Sequence, residues 1–141
     1  MLRRTLLLAG FAVVFAGAAS AATVKFHATL SPASEVPPTK STGTGEANAS
    51  LDTATHALTY DVTFTGFSSQ VAAAHFHGPA GADKNAGVLV PLGNAPTSPI
   101  HGSATLTPEQ EQQLTSGQWY VNVHSKNFPA GAVRGQMLQM K

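Results

Sequence analysis

The chain has 141 residues, 8 Lys and Arg against 7 Asp and Glu, and no cysteine. That length suits one domain. Without cysteine there is no disulfide framework, no thiolate metal site and no cysteine nucleophile. The near-neutral balance also lacks the basic footprint that nucleic-acid binding requires.

Residues 1–21 read as an export signal: Arg3-Arg4 as a positive start, an apolar run from Leu6 to Ala16, and a small-residue cleavage site at Ala19-Ser20-Ala21. The apolar run is too short for a permanent bilayer anchor, and no later segment is long enough to span. Arg3-Arg4-Thr5-Leu6-Leu7 is also a partial twin-arginine match, which leaves the export route open. Cleavage after Ala21 gives a mature domain of residues 22–141, periplasmic or secreted. It keeps six of the eight basic residues against seven acidic ones, a net charge of −1.

Along the mature chain, Val24, Phe26, Ala28 and Leu30 alternate with polar residues, the period-two pattern of a half-buried strand. Ser31 to Ser41 contains Glu35-Val36-Pro37-Pro38 and must be irregular, because adjacent prolines cannot pair within a central strand. Gly43 to Leu51 and Leu58 to Thr65 alternate again and form a hairpin. Val71 to His77 is the next strand, and Gly78 to Gly87 is a loop. Val88 to Leu92 reads as a short buried strand and Ile100 to Leu106 as another. Thr107-Pro108-Glu109-Gln110 is a helix start, with Thr as N-cap, Pro in the first turn and Gln at the capping-box position. The helix covers Glu109 to Leu114 and stops at Ser116-Gly117. Trp119 to Ser125 is a strand, Asn127 to Gly131 a tight loop, and Ala132 to about Met140 the last strand. Seven to eight short strands and one short helix imply an all-β fold, an antiparallel β-sandwich or flattened Greek-key barrel.

The chemistry concentrates in two of these strands. In Val71-Ala-Ala-Ala-His75-Phe76-His77, alternation puts Ala72, Ala74 and Phe76 on one face and both histidines on the other. In Trp119-Tyr-Val-Asn-Val-His124-Ser125, Trp119, Val121 and Val123 share one face, and Tyr120, Asn122 and His124 share the other. Large apolar side chains therefore claim one side and histidine the opposite side in both. Laid side by side, His75, His77 and His124 make a three-imidazole site, with His101 as the expected fourth ligand. Imidazole donors suit copper or zinc rather than magnesium or calcium. The competing reading is three histidines solvating the polar side of a sheet. His27 and His56 read as ordinary surface histidines. Arg134, an isolated charge on the last strand, is either a solvated arginine or an anion guide beside the metal. Phosphate-cradling loops, a nucleophile elbow and a paired-carboxylate arrangement are all missing.

Glu35-Val36-Pro37-Pro38, Ala74-His75-Phe76-His77-Gly78, Tyr120-Val121-Asn122-Val123-His124 and Gly131-Ala132-Val133-Arg134-Gly135-Gln136 resemble the successive motifs of the CHRD domain. This domain is named after chordin, an animal extracellular protein, and occurs in exported bacterial proteins. The resemblance runs from about Val24 to Met140, with one departure at Ala132, where the family usually carries Glu. A more distant likeness is to copper–zinc superoxide dismutases, which have a His-x-His strand, a later histidine strand and an arginine near the C-terminus. Carried over, it implies that His75, His77 and His124 hold copper and that Arg134 attracts superoxide. The chain lacks that group's disulfide and the histidine-rich zinc loop between His77 and His101, so the likeness implies a copper-only variant. The expectation is thus an exported domain with copper, or alternatively zinc, as cofactor. It either turns over superoxide or serves as a non-catalytic binding module or metal buffer.

Overall fold

A computed structural model describes residues 21–141. The expected export signal lies outside the described residues, apart from its last position. Among those described, no helix is long and apolar enough to cross a membrane.

Among the described residues nine strands and one α-helix follow in order: β1 Thr23–Leu30, β2 Thr44–Asp52, β3 Ala57–Thr65, β4 Val71–His77, β5 Val88–Asn94, β6 Ile100–Thr105, α1 Pro108–Thr115, β7 Tyr120–Ser125, β8 Phe128–Gln136 and β9 Leu138–Gln139. They form two antiparallel sheets, a five-stranded one in the order β6-β3-β2-β1-β9 and a four-stranded one in the order β5-β4-β7-β8. The fold is an all-β sandwich. α1 begins as its sequence requires: the Thr107 hydroxyl accepts from the Gln110 backbone N–H, and the Gln110 side chain accepts from the Thr107 N–H.

The core lies between the sheets and is built by alternation. Phe26 and Leu30 of β1, Leu51 of β2, and Leu58 and Val62 of β3 face Ala74 and Phe76 of β4 and Val121 and Val123 of β7. Phe76 is fully enclosed. Its ring makes a T-shaped contact with Tyr60, from the facing sheet, at 5.3 Å between centroids, and Trp119 stands 5.9 Å away on its own side. The faces of β4 and β7 are thus as the alternation predicts. β4 and β7 are hydrogen-bonded neighbours in one sheet, so Phe76 and Trp119 pack side by side.

Two elements depart from expectation. The run Val88–Leu92 belongs to the edge strand β5 and is only partly buried: Leu92 is in the core and Leu89 and Val90 pack against it, while Val88 is 51% exposed. The final strand starts earlier, at Phe128, and breaks at Met137. Its first part pairs with β7 and its last two residues pair with β1 of the other sheet, so the chain turns a corner of the sandwich there. At the same corner Ser31, just beyond the end of β1, bridges to the other sheet. Ser31 and Arg134 exchange both backbone hydrogen bonds, at 3.0 and 3.1 Å, which stitches the two sheets together.

The outer face of the four-stranded sheet does not meet bulk solvent as a free sheet face would. The irregular segment 31–41 and the loop 78–87 lie across it. Thr39 donates to the Ala132 carbonyl at 2.8 Å, Gln136 donates to the Ala80 carbonyl at 2.7 Å, and Asn85 ties the two covering segments together by donating to the Val36 carbonyl at 2.7 Å. β7 is consequently buried on both faces, and its polar residues sit in an enclosed layer.

Candidate metal centre

Register decides which histidines meet. β4 and β7 pair so that Ala73 lies opposite His124, His75 opposite Asn122 and His77 opposite Tyr120. His124 therefore stands diagonal to His75 on the same face, a separation that long side chains bridge. Nδ1 of His75 and Nε2 of His124 are 3.0 Å apart. One ring nitrogen from each of His75, His77 and His124 lies within 4.8 Å of the others. Two nitrogens bound to one ion through bonds of about 2.0–2.1 Å are themselves about 2.9–3.3 Å apart, depending on the angle between them. The His75–His124 pair already has that separation. Against β5, the β4 ladder is irregular between Ala74 and His75 and again between Phe76 and His77, and irregularities of this kind re-aim side chains.

The protein fixes two of the imidazoles through their second nitrogen. Nδ1 of His77 is 2.9 Å from the Ala86 carbonyl, and Nδ1 of His124 is 2.9 Å from the Pro129 carbonyl. A carbonyl oxygen can only accept, so each Nδ1 carries the proton and each Nε2 is left with a lone pair. Backbone carbonyls in this position are the usual outer partners of metal-binding histidines. Burial, together with neighbouring histidines, holds His75 below the ordinary imidazole range. Burial also lowers His124, with His77 adding to the effect and the Pro129 contact opposing it. Both rings therefore stay neutral at neutral pH, the form that binds metal. Solvation of a polar sheet face does not describe His77, which is only 8% exposed, and His75 and His124 beside it are half-buried.

Behind the histidines lies a second polar layer. The Tyr120 ring is parallel to His77, with centroids 4.9 Å apart, and the Arg134 guanidinium lies 3.5 Å from the Tyr120 centroid. The Tyr120 hydroxyl binds both backbone groups of Ala86, accepting from its N–H and donating to its carbonyl. The same peptide thus anchors His77 and Tyr120. Asn122 places Oδ1 3.0 Å from Nε2 of His77. Glu35, 6% exposed, stands beside Asn122; burial raises its carboxyl to about 7, while Arg134 and a hydrogen bond from Asn122 pull the other way. Gly131, at φ 137°, makes room for this layer: a Cβ there would fall 2.6 Å from Glu35 Oε1 and 2.9 Å from Asn122 Nδ2.

Two expected site residues lie elsewhere or differ in character. His101 does not join the cluster. It sits exposed on β6, in the five-stranded sheet, with Nδ1 2.7 Å from Asp61 Oδ1, because strand order puts β6 across the sandwich from β4 and β7. Arg134 is on the histidine face but is 1% exposed. Its guanidinium donates to the Asn85 side chain, the Gly81 carbonyl and the Gln136 side chain, so it is a covered anchor for the loop 78–87 rather than an exposed guide for anions. His27 and His56 are both half-buried residues at the surface, the first bonded to Asn48 and the second to Glu111 of α1. The residues that histidine counting passes over are Glu35, Asn122 and Tyr120. Alternation already placed Asn122 and Tyr120 on the histidine face, and Glu35 is a lone carboxylate in the proline segment.

The family model for the CHRD domain matches residues 26–137. The chain belongs to the CHRD-domain family. Comparison with curated proteins and with solved structures gives no match, so the likeness to copper–zinc superoxide dismutases gains no support from them. The matched span of the CHRD domain contains the whole polar layer: Glu35, the three histidines, Tyr120, Asn122 and Arg134.

Proposed function

We propose that this CHRD domain is an exported module that holds one transition-metal ion, copper or alternatively zinc, through His75, His77 and His124. The observation that carries the reading is the pre-formed triad: three imidazole nitrogens within 4.8 Å of one another, two of them on rings whose tautomer is fixed by backbone carbonyls. Imidazole donors favour copper and zinc over calcium and magnesium. The export signal read at residues 1–21 would deliver the domain to a compartment where such ions are available.

Holding the ion, rather than turning over superoxide, is the activity that fits best. A redox-cycling copper ion would supply superoxide chemistry through an open coordination position. The arginine expected to draw in the anion is stacked on Tyr120 and enclosed. Titration of the metal-free protein with copper(II) and zinc(II) should saturate at one equivalent. His124→Ala should abolish that uptake, and His101→Ala should leave it unchanged. Uptake that persists in His124→Ala would overturn the reading. Superoxide loss well above that of free copper would replace the holding role with the catalytic one.

A further inference from the structure

The contact between Asn122 and His77 brings two acceptors together. Nδ1–H of His77 is committed to the Ala86 carbonyl, so the neutral ring turns the Nε2 lone pair toward Asn122 Oδ1 at 3.0 Å. A carboxamide can usually escape such a clash by turning over and offering its NH2 group instead. Here the other end is constrained. Nδ2 lies on the side of Gly131 and Glu35: it and the two Glu35 carboxyl oxygens fall 2.9, 2.6 and 2.8 Å from where a Gly131 Cβ would stand. A carboxylate can only accept, so it holds the NH2 end and leaves Oδ1 aimed at His77. Two acceptor atoms 3.0 Å apart are held together favourably by a positive centre between them, either a proton on Nε2 or a metal ion.

We infer that Asn122 Oδ1 is the fourth donor of the metal centre, oriented by Glu35. This rests on the metal-binding reading above and fills the position that His101 does not. The separation suits it: bonds of about 2.0–2.2 Å from one ion to His77 Nε2 and to a carbonyl oxygen, at roughly a right angle, place those atoms about 3 Å apart. Asn122 is also well placed in the sheet, directly opposite His75 and two residues before His124 on the same face. A neutral amide oxygen added to three imidazoles would be a weak fourth donor of a kind that copper sites accept. Glu35 is then a positioning residue, acting through Asn122 and not on the ion itself. Its remaining oxygen, Oε1, is buried and has no hydrogen-bond partner.

The test is metal affinity at about pH 8, measured by competition with a chromophoric chelator. It is combined with the visible spectrum of the cobalt(II)-loaded protein, whose intensity and band positions report donor set and coordination number. Asn122→Ala should weaken zinc(II) and copper(II) binding by at least about tenfold, as loss of a supporting group does, and should alter the cobalt spectrum. Asn122→Asp, which returns an oxygen to the same place, should restore affinity. Glu35→Gln should weaken binding to a smaller degree with stoichiometry unchanged. Should Asn122→Ala fail to fold, the spectra of the Asp and Gln variants decide, since both must differ from the parent if Oδ1 binds the ion. Parental affinity and spectrum in the Asn122 and Glu35 variants, with metal still lost in His124→Ala, would overturn this inference alone. A parent that takes up no ion would overturn the metal reading and this inference together.

Discussion

Glu35→Gln gives the sharpest stability test, because it removes a charge while keeping the shape of the side chain. Glu35 titrates at an ordinary 4.5 when unfolded and near 7 when folded, chiefly because burial disfavours the carboxylate. A raised carboxyl value means that the folded state holds the proton more tightly. The resulting stabilisation is complete below about 4.5 and is lost as pH rises through about 7. Summing the two titrations between about pH 5 and pH 8, at about 1.36 kcal/mol per unit, predicts a loss on the order of 2.5 kcal/mol. Gln cannot ionise, so Glu35→Gln should lack this component. The assay is urea unfolding of metal-free protein, in chelator, at both pH values for parent and variant. The difference between them isolates Glu35 from His75 and His124, whose lowered values act in the opposite direction by costing stability as pH falls below about 6.5. The expected result is a variant that gains on the parent by about 2 kcal/mol or more from pH 5 to pH 8. Parallel stability curves would refute the claim that a buried carboxyl sits under this site.

Phe76→Ala should cost about 3–5 kcal/mol in the same unfolding assay, since the ring is fully enclosed between Tyr60 and Trp119; a variant that unfolds like the parent would mean that the strand faces are reversed. Arg134→Ala should lose about 3 kcal/mol or more, because it strips three hydrogen bonds and the Tyr120 stack from an enclosed layer. It should also raise proteolytic nicking in the loop 78–87, whereas a surface arginine would give neither effect.

Much of this molecule is legible in the sequence because strand and cap geometry are local. A period of two assigns Phe76 to the core and His75 and His77 to the other face whatever the neighbouring strands are. Thr107 and Gln110 close their capping box within a single turn. Other features depend on pairings between residues far apart in the chain, which no local pattern encodes. The β4–β7 register brings His124 to His75, while strand order sends His101 to the opposite sheet and leaves the apolar β5 at an edge. The outer face is the clearest case. Alternation marks Tyr120, Asn122 and Arg134 as polar-side residues, and polar-side residues of a sheet are ordinarily wet. Only the packing of segments 31–41 and 78–87 over that side encloses them. That enclosure turns a surface arginine into an anchor, raises the Glu35 carboxyl, and sets an asparagine oxygen against a histidine lone pair.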